Sequence, residues 1–283
     1  MLLGNSKEFD VSNQKGHRRS WWISAAVLVL MILVSGTSLF YPGLYRDNGF
    51  VKAVWRGNDA VTLLAAAPVF AAGLVLSRRG SVLGDLIRLG MLDFALYNFA
   101  FYLFASAFNA LFIPYVLLIV LSMMGLLTGL AGLDAPGVKD GFRQKLPVRW
   151  VGGYLIIVAL GLTIIYLIQV GQFLTSGHPP EIIARTGHVT HIVPALDLTL
   201  LVPWLILAGV WLWRRKPWGY LLSGMMVVKG LLYTLVLAAA GYSAVRAGYP
   251  EAAGEIPLWG SLSGGFLVCL GFIIGNYQRN HAG

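Results

Sequence analysis

Residues 86–133 form an almost unbroken apolar stretch, and no other feature constrains the fold as tightly. As one helix it would reach roughly 72 Å at about 1.5 Å per residue, far beyond the ~30 Å hydrocarbon core of a bilayer. The chain must therefore turn within it, and the segment from Asn109 to Pro114 is the one place that offers turn residues. Proline suits the first turn of a following helix. The stretch thus reads as two membrane spans, near 89–108 and 112–133, joined by a tight turn.

Six more apolar runs of about 20 residues have the length of a membrane helix: 21–41, 60–77, 150–171, 192–213, 217–240 and 257–276. Only 12% of the 283 residues are charged, whereas a soluble domain carries about 25%. Mean hydropathy is correspondingly high, +0.72. The runs are continuous rather than alternating, which argues against a membrane β-barrel. The expected fold class is all-α: a polytopic integral membrane bundle of eight transmembrane helices. It forms a single domain over 21–276, between a basic tail, 1–20, and a short tail, 277–283. The polar N-terminal segment is too long for an ordinary signal-peptide leader, so the first run is expected to stay as a membrane helix.

The charge distribution gives this bundle a direction. Of the 21 Lys and Arg residues, fifteen fall in segments on one side, five fall in the loops on the other, and Lys229 lies inside a span. Positive charge accumulates on the cytoplasmic side, so both termini are expected there, in a bacterial-type inner (plasma) membrane. The basic residues cluster at alternate ends of the runs instead of forming one stripe, so the net charge of +9 does not indicate a nucleic-acid partner. Cys269 is the sole cysteine, which excludes an intramolecular disulfide and a thiolate-rich metal site.

Smaller features carry local expectations. In the outer segment 42–58, Phe50, Val51, Val54 and Trp55 share one face of a short helix, opposite Lys52 and Arg56. That pattern fits a helix lying in the membrane interface, and an irregular loop fits it equally. Asp59 precedes the second span and is placed to cap it. Gly260, Gly264, Gly271 and Gly275 line one side of the eighth span. Such a stripe allows close helix packing, inside the bundle or, as the alternative, between two copies in a homo-oligomer. The two sets of four spans have the same orientation, but the residues show no internal repeat.

Three groups of residues could carry chemistry. The first is the hairpin of the sixth and seventh spans, where Asp197 and Lys229 stand at depths that lipid does not tolerate without a partner. Counted from Trp213 and Pro217 at the inner ends, their heights are about 24 and 18 Å, so the two are expected to pair, with Tyr233 one turn above the lysine. The second is a polar stripe of Asn98, Tyr102 and Asn109 on the third span, with Asp93 and Tyr97 on an adjoining face. Amides find no partner in lipid, so this stripe should face protein. The third is the set of loop histidines, His178, His188 and His191, which with Glu181 and Asp197 could hold a divalent metal although the HExxH pattern is absent. In addition, Pro203 frees the carbonyl of Thr199. Lys229 invites comparison with the retinal-binding lysine of microbial rhodopsins. Its surroundings, MMVVKGLLYTL, lack that family's carboxylate four residues earlier.

The functional expectation is a site for an ion or small molecule in the outer half of the bundle, built on Asp197, Lys229, Tyr233, Asn98, Tyr102 and Asn109. It makes the protein a transporter or binding protein. A membrane-embedded enzyme, metal-dependent through the histidines, and a non-catalytic scaffold are the alternatives.

Overall fold

The computed structural model of the protein describes residues 4–41 and 43–278, with side chains from residue 16 onward. Pro42, the side chains of residues 1–15 and the end of the C-terminal tail lie outside the described residues. Among the described residues eight helices are long and apolar enough to cross a membrane. They are α1 (Gly4–Phe40), α2 (Gly49–Arg78), α3 (Val82–Ala105), α4 (Phe112–Ala131), α5 (Val148–Ser176), α6 (Ile192–Trp213), α7 (Pro217–Arg246) and α8 (Pro250–Gly275). Short helices, Ala135–Asp140 and Glu181–Thr186, lie in the connections. No strand occurs among the described residues. The protein is an all-α, multi-pass membrane bundle.

The bundle is built around α3 and α7, each 78% buried along its apolar core and therefore shielded from lipid by the other six. Their starts are well specified. Ser81 caps α3 by accepting from the Gly84 amide, after Gly80 turns the chain with a φ of 74°. Pro217 occupies the first turn of α7, where its missing N–H costs no helical hydrogen bond. Outward-facing Leu64, Ile157, Leu167 and Leu267 are exposed and meet the bilayer.

The packing repeats itself. The second helix packs along the third and the sixth along the seventh; the third packs along the fourth and the seventh along the eighth. The two halves part at their outer helices. Along much of their length α1 and α4 pack against each other, whereas α5 and α8 barely touch.

Several local expectations are corrected. The segment 42–58 does not lie in the interface. From Gly49 it is the first part of α2, with Phe50, Val51, Ala53 and Trp55 buried. Gly57 lets it approach α7 so closely that an added Cβ would stand 2.5 Å from the Ala239 carbonyl oxygen. Asp59 is consequently in mid-helix and fully buried, and Asn48 is the residue that caps, through the Val51 amide. The basic segment expected as a tail continues α1 from Gly4. Arg88, reckoned with the inner-side charges, is fully buried, where it donates to Ser20, Ser24, Ser77 and Asp85 and ties α3 to α1 and α2. The stripe of Gly260, Gly264, Gly271 and Gly275 does not pack inside the bundle: a Cβ at any of them would meet nothing within 4 Å. The glycine of α8 that does make close contact is Gly265, against Tyr154.

Candidate functional site

The two central helices meet in register. Asp93 of α3 faces Lys229 of α7 and Tyr97 faces Tyr233, and both pairs are separated by 136 residues. Lys229 is fully buried, and its Nζ donates to Asp93 Oδ1 at 3.1 Å and to the Leu200 carbonyl at 3.0 Å. It also stands 5.1 Å from the centre of the Tyr97 ring, within range of a cation–π attraction.

The Leu200 carbonyl is reachable because α6 is irregular there. Residues Asp197–Leu201 form a π-helical turn just before Pro203. Proline has no N–H and its ring crowds the preceding turn, so the helix widens where it cannot bond regularly. The carbonyl expected to be freed was that of Thr199, whereas the buried ammonium is bound by the next one, that of Leu200.

Asp197 opens this π turn and is fully buried. Three tyrosines from three helices donate to its carboxylate. Tyr97 binds Oδ1 at 2.6 Å, Tyr166 binds Oδ2 at 2.5 Å, and Tyr233 reaches both oxygens at 3.1 and 3.0 Å. An ionised carboxyl group is a pure acceptor, so three converging hydroxyl donors suit the anion. The expected ion pair between Asp197 and Lys229 is not formed. Asp93 occupies the lysine's own level, and the height difference of about 6 Å to Asp197 is spanned by Tyr97. The ring of Tyr97 faces the ammonium and its hydroxyl binds Asp197.

The resulting cluster holds two carboxyl groups and one ammonium, so with both acids ionised it would carry one negative charge in excess. Asp93 Oδ2 is buried without a hydrogen-bond partner. Burying an uncompensated charge costs several kcal/mol, roughly, so the cluster favours any proton or cation that reaches it. A narrow apolar crevice runs toward it between α5 and α8, lined by Leu162, Leu205, Tyr233, Trp259, Leu262 and Phe266. Tyr233 thus has its ring on the crevice and its hydroxyl on Asp197.

The remaining candidates divide. Tyr102 and Asn98 belong to another cluster: Tyr102 donates to Asp59 at 2.9 Å, and Asn98 accepts from Asn58 at 2.8 Å. Asn109 is not on the third helix, which ends at Ala105. Its side chain builds the turn to α4, accepting from the Leu111 amide and donating to the Ala107 carbonyl. This is the local bonding that asparagine favours in turns.

The histidines lie at the end of the bundle where Asp197 is found. His178 is exposed beside Gln172 and Glu181. His188 and His191 are half-buried, and burial pushes both imidazoles below their ordinary range; Asp47 partly opposes this at His188, and at His191 the neighbouring His188 adds to it. The His191 ring meets the Tyr166 ring 6.5 Å away, so a line of side chains leads from the loops to Asp197. Among the described residues no three His, Cys, Asp or Glu side chains gather as a metal-holding group, and the divalent metal stays an expectation from the sequence.

Of the site residues, sequence reasoning passes over Tyr166, reads Asp59 only as a helix cap, and places Asp93 and Tyr97 beside the polar stripe without assigning them to the site. A signal for two of them was present: Asp93 precedes Tyr97 by four residues, as Lys229 precedes Tyr233. Comparison of the chain with protein-family models, with curated proteins and with solved structures finds no match.

Proposed function

We propose that the protein is a transporter or binding protein for a small molecule or ion, with its site at Asp197, Tyr97, Tyr166 and Tyr233 beside the Asp93–Lys229 pair. One observation carries this reading: two buried carboxylates lie in one cluster with a single buried ammonium, which pairs with Asp93 alone. Ionisable residues inside membrane spans are costly and usually mark ion or substrate pathways. A ligand bearing one positive charge, or a proton taken up with the ligand, would balance the cluster. The apolar crevice between α5 and α8 borders the site at Tyr233, and the line through His191 and Tyr166 supports exchange with the loop side. By the charge distribution of the loops, that side is the exterior.

The test is the small molecules and ions that accompany the protein purified in mild detergent without chelator, identified by mass spectrometry. A species held by the wild type and lost from Asp197→Asn and Tyr233→Phe is expected. Identical profiles in wild type and both variants, each correctly folded, would overturn the reading.

A further inference from the structure

A second buried carboxylate repeats this chemistry in the N-terminal half, away from the lysine. Asp59 is fully buried and sits in α2, the counterpart of α6 in the order of packing. Ser38 donates to its Oδ2 at 2.5 Å, Tyr45 to the same oxygen at 2.6 Å, and Tyr102 to Oδ1 at 2.9 Å. The parallel extends to the backbone. A π-helical turn, Thr62–Ala66, follows Asp59 and is succeeded by Pro68, as the turn of Asp197–Leu201 is succeeded by Pro203.

Unlike Asp197, Asp59 has no ammonium or guanidinium near it among the described residues, and it takes part in no ion pair there. Further oxygens surround it without partners of their own. Ser35 Oγ is fully buried beside Asp59, and the hydroxyl of Tyr115 is buried next to Tyr102, whose ring lies tilted to its own at 5.4 Å; neither oxygen has a partner at full hydrogen-bond geometry. Toward the loops, Asp47 Oδ2 is also buried and unpaired, while Asp47 Oδ1 accepts from the Ala107 amide at 2.8 Å. The titratable groups around Asp59 are therefore Tyr45 from the α1–α2 loop, Tyr102 from α3 and Tyr115 from α4. Asp47 and His188 stand beyond them, and α7 presents the Ala239–Ala240 backbone to neighbouring Gly57. Tyr45 closes the site from the loop side, and burial together with Asp59 raises its phenol far above the ordinary range, so it remains a neutral donor.

We propose that Asp59, with the hydroxyls of Ser35, Ser38, Tyr45, Tyr102 and Tyr115, forms a second site that takes up a single positive charge, as a proton or a monovalent cation such as sodium. The ligand set is all oxygen, which suits a hard cation and offers nothing to a soft metal. Each hydroxyl that donates to Asp59 keeps lone pairs for a cation, and the oxygens of Ser35 and Tyr115 can present theirs as well. The inference rests on the surroundings of Asp59 alone and stands whether or not Asp197 binds a small molecule.

Thermal unfolding of the full chain in detergent tests it. Sodium chloride is titrated against choline chloride at constant ionic strength and pH 8, and pH is then varied from 9 to 5 in choline chloride alone. The wild type is expected to gain at least about 3 °C in one of the two series, sodium identifying the cation and acid the proton. Asp59→Asn, which is neutral and nearly isosteric, should abolish that gain, and Asp197→Asn should retain it. Tyr115→Phe removes one unpaired oxygen without touching the carboxylate. It should raise the half-saturating sodium or proton concentration by about tenfold, and it serves if Asp59→Asn does not fold. Equal responses of wild type, Asp59→Asn and Tyr115→Phe in both series would overturn the proposal, as would a wild type that responds in neither.

Discussion

Asp59 and Asp197 make an instructive pair. Each opens onto a π-helical turn that ends near a proline, and each is a fully buried carboxylate beneath three hydroxyl groups. Their surroundings differ in two respects. Asp197 lies beside the Asp93–Lys229 pair and a crevice left by the separation of α5 from α8. Among the described residues Asp59 has no cation beside it, and α1 and α4 are packed together on its side of the bundle. The comparison teaches that local chemistry and access are set separately. Helix irregularity and hydroxyl donors make a home for a carboxylate, and the packing of the outer helices decides what can approach it.

The largest effect expected from breaking this difference is at Lys229. Lys229→Met strands Asp93, whose second oxygen is already unpaired, and should destabilise the protein by about 3–5 kcal/mol. Adding Asp93→Asn should recover most of that loss, and adding Asp197→Asn should recover less. Denaturation of the three variants in detergent decides the assignment. A better rescue by Asp197→Asn would mean that the lysine serves Asp197 directly and that the distinction between the halves is misplaced.

A smaller effect sharpens the likeness of the two carboxylates. Tyr166→Phe takes one donor from Asp197, and Tyr102→Phe takes one from Asp59. A hydrogen bond to a charged group is worth about 1.5–3 kcal/mol, so both substitutions should cost a similar amount if both carboxylates are anions. A near-neutral Tyr102→Phe beside a costly Tyr166→Phe would show that Asp59 already carries its proton in the resting protein.

The smallest effect concerns the loop end. Burial lowers the imidazole of His188 below its ordinary range, so the unfolded chain binds this proton more readily than the folded one. The associated stability is complete above the unfolded value, about 6.5, and declines as pH falls through it. Between pH 7.5 and 5.5 the melting temperature of His188→Gln should therefore shift slightly upward relative to that of the wild type. A relative downward shift in the variant would contradict this sign.

The eight-helix membrane fold was legible because its cause is local. Lipid cannot satisfy backbone groups, so each apolar run of sufficient length must form a helix, and composition alone reveals where. The turn between α3 and α4 was equally plain, from Asn109 and Pro114. Asp197, Lys229 and Tyr233 stood out because an ionisable or polar group in an apolar run is visible in one dimension. Tyr166 carried no such mark, since a tyrosine near the end of a span also suits the membrane interface. Asp59 was hidden because Asn58–Asp59 resembles the start of a helix that in fact begins ten residues earlier, at Gly49.

What the sequence by itself determined is thus the solvent of each segment: which stretches lie in lipid, and which charges lie there at a cost. Which partner meets each charge was decided by tertiary structure, since that depends on the rotation and depth of helices far apart in the chain. Lys229 could reach up toward Asp197 or across to Asp93, and the in-register crossing of α3 and α7 selects Asp93. The glycines of α8 show the same limit. Spacing places Gly260, Gly264, Gly271 and Gly275 on one face, but the rotation of the helix turns that face away from the bundle and brings Gly265 against Tyr154 instead. Periodicity defines a face, and only the packing of neighbouring helices determines what that face meets.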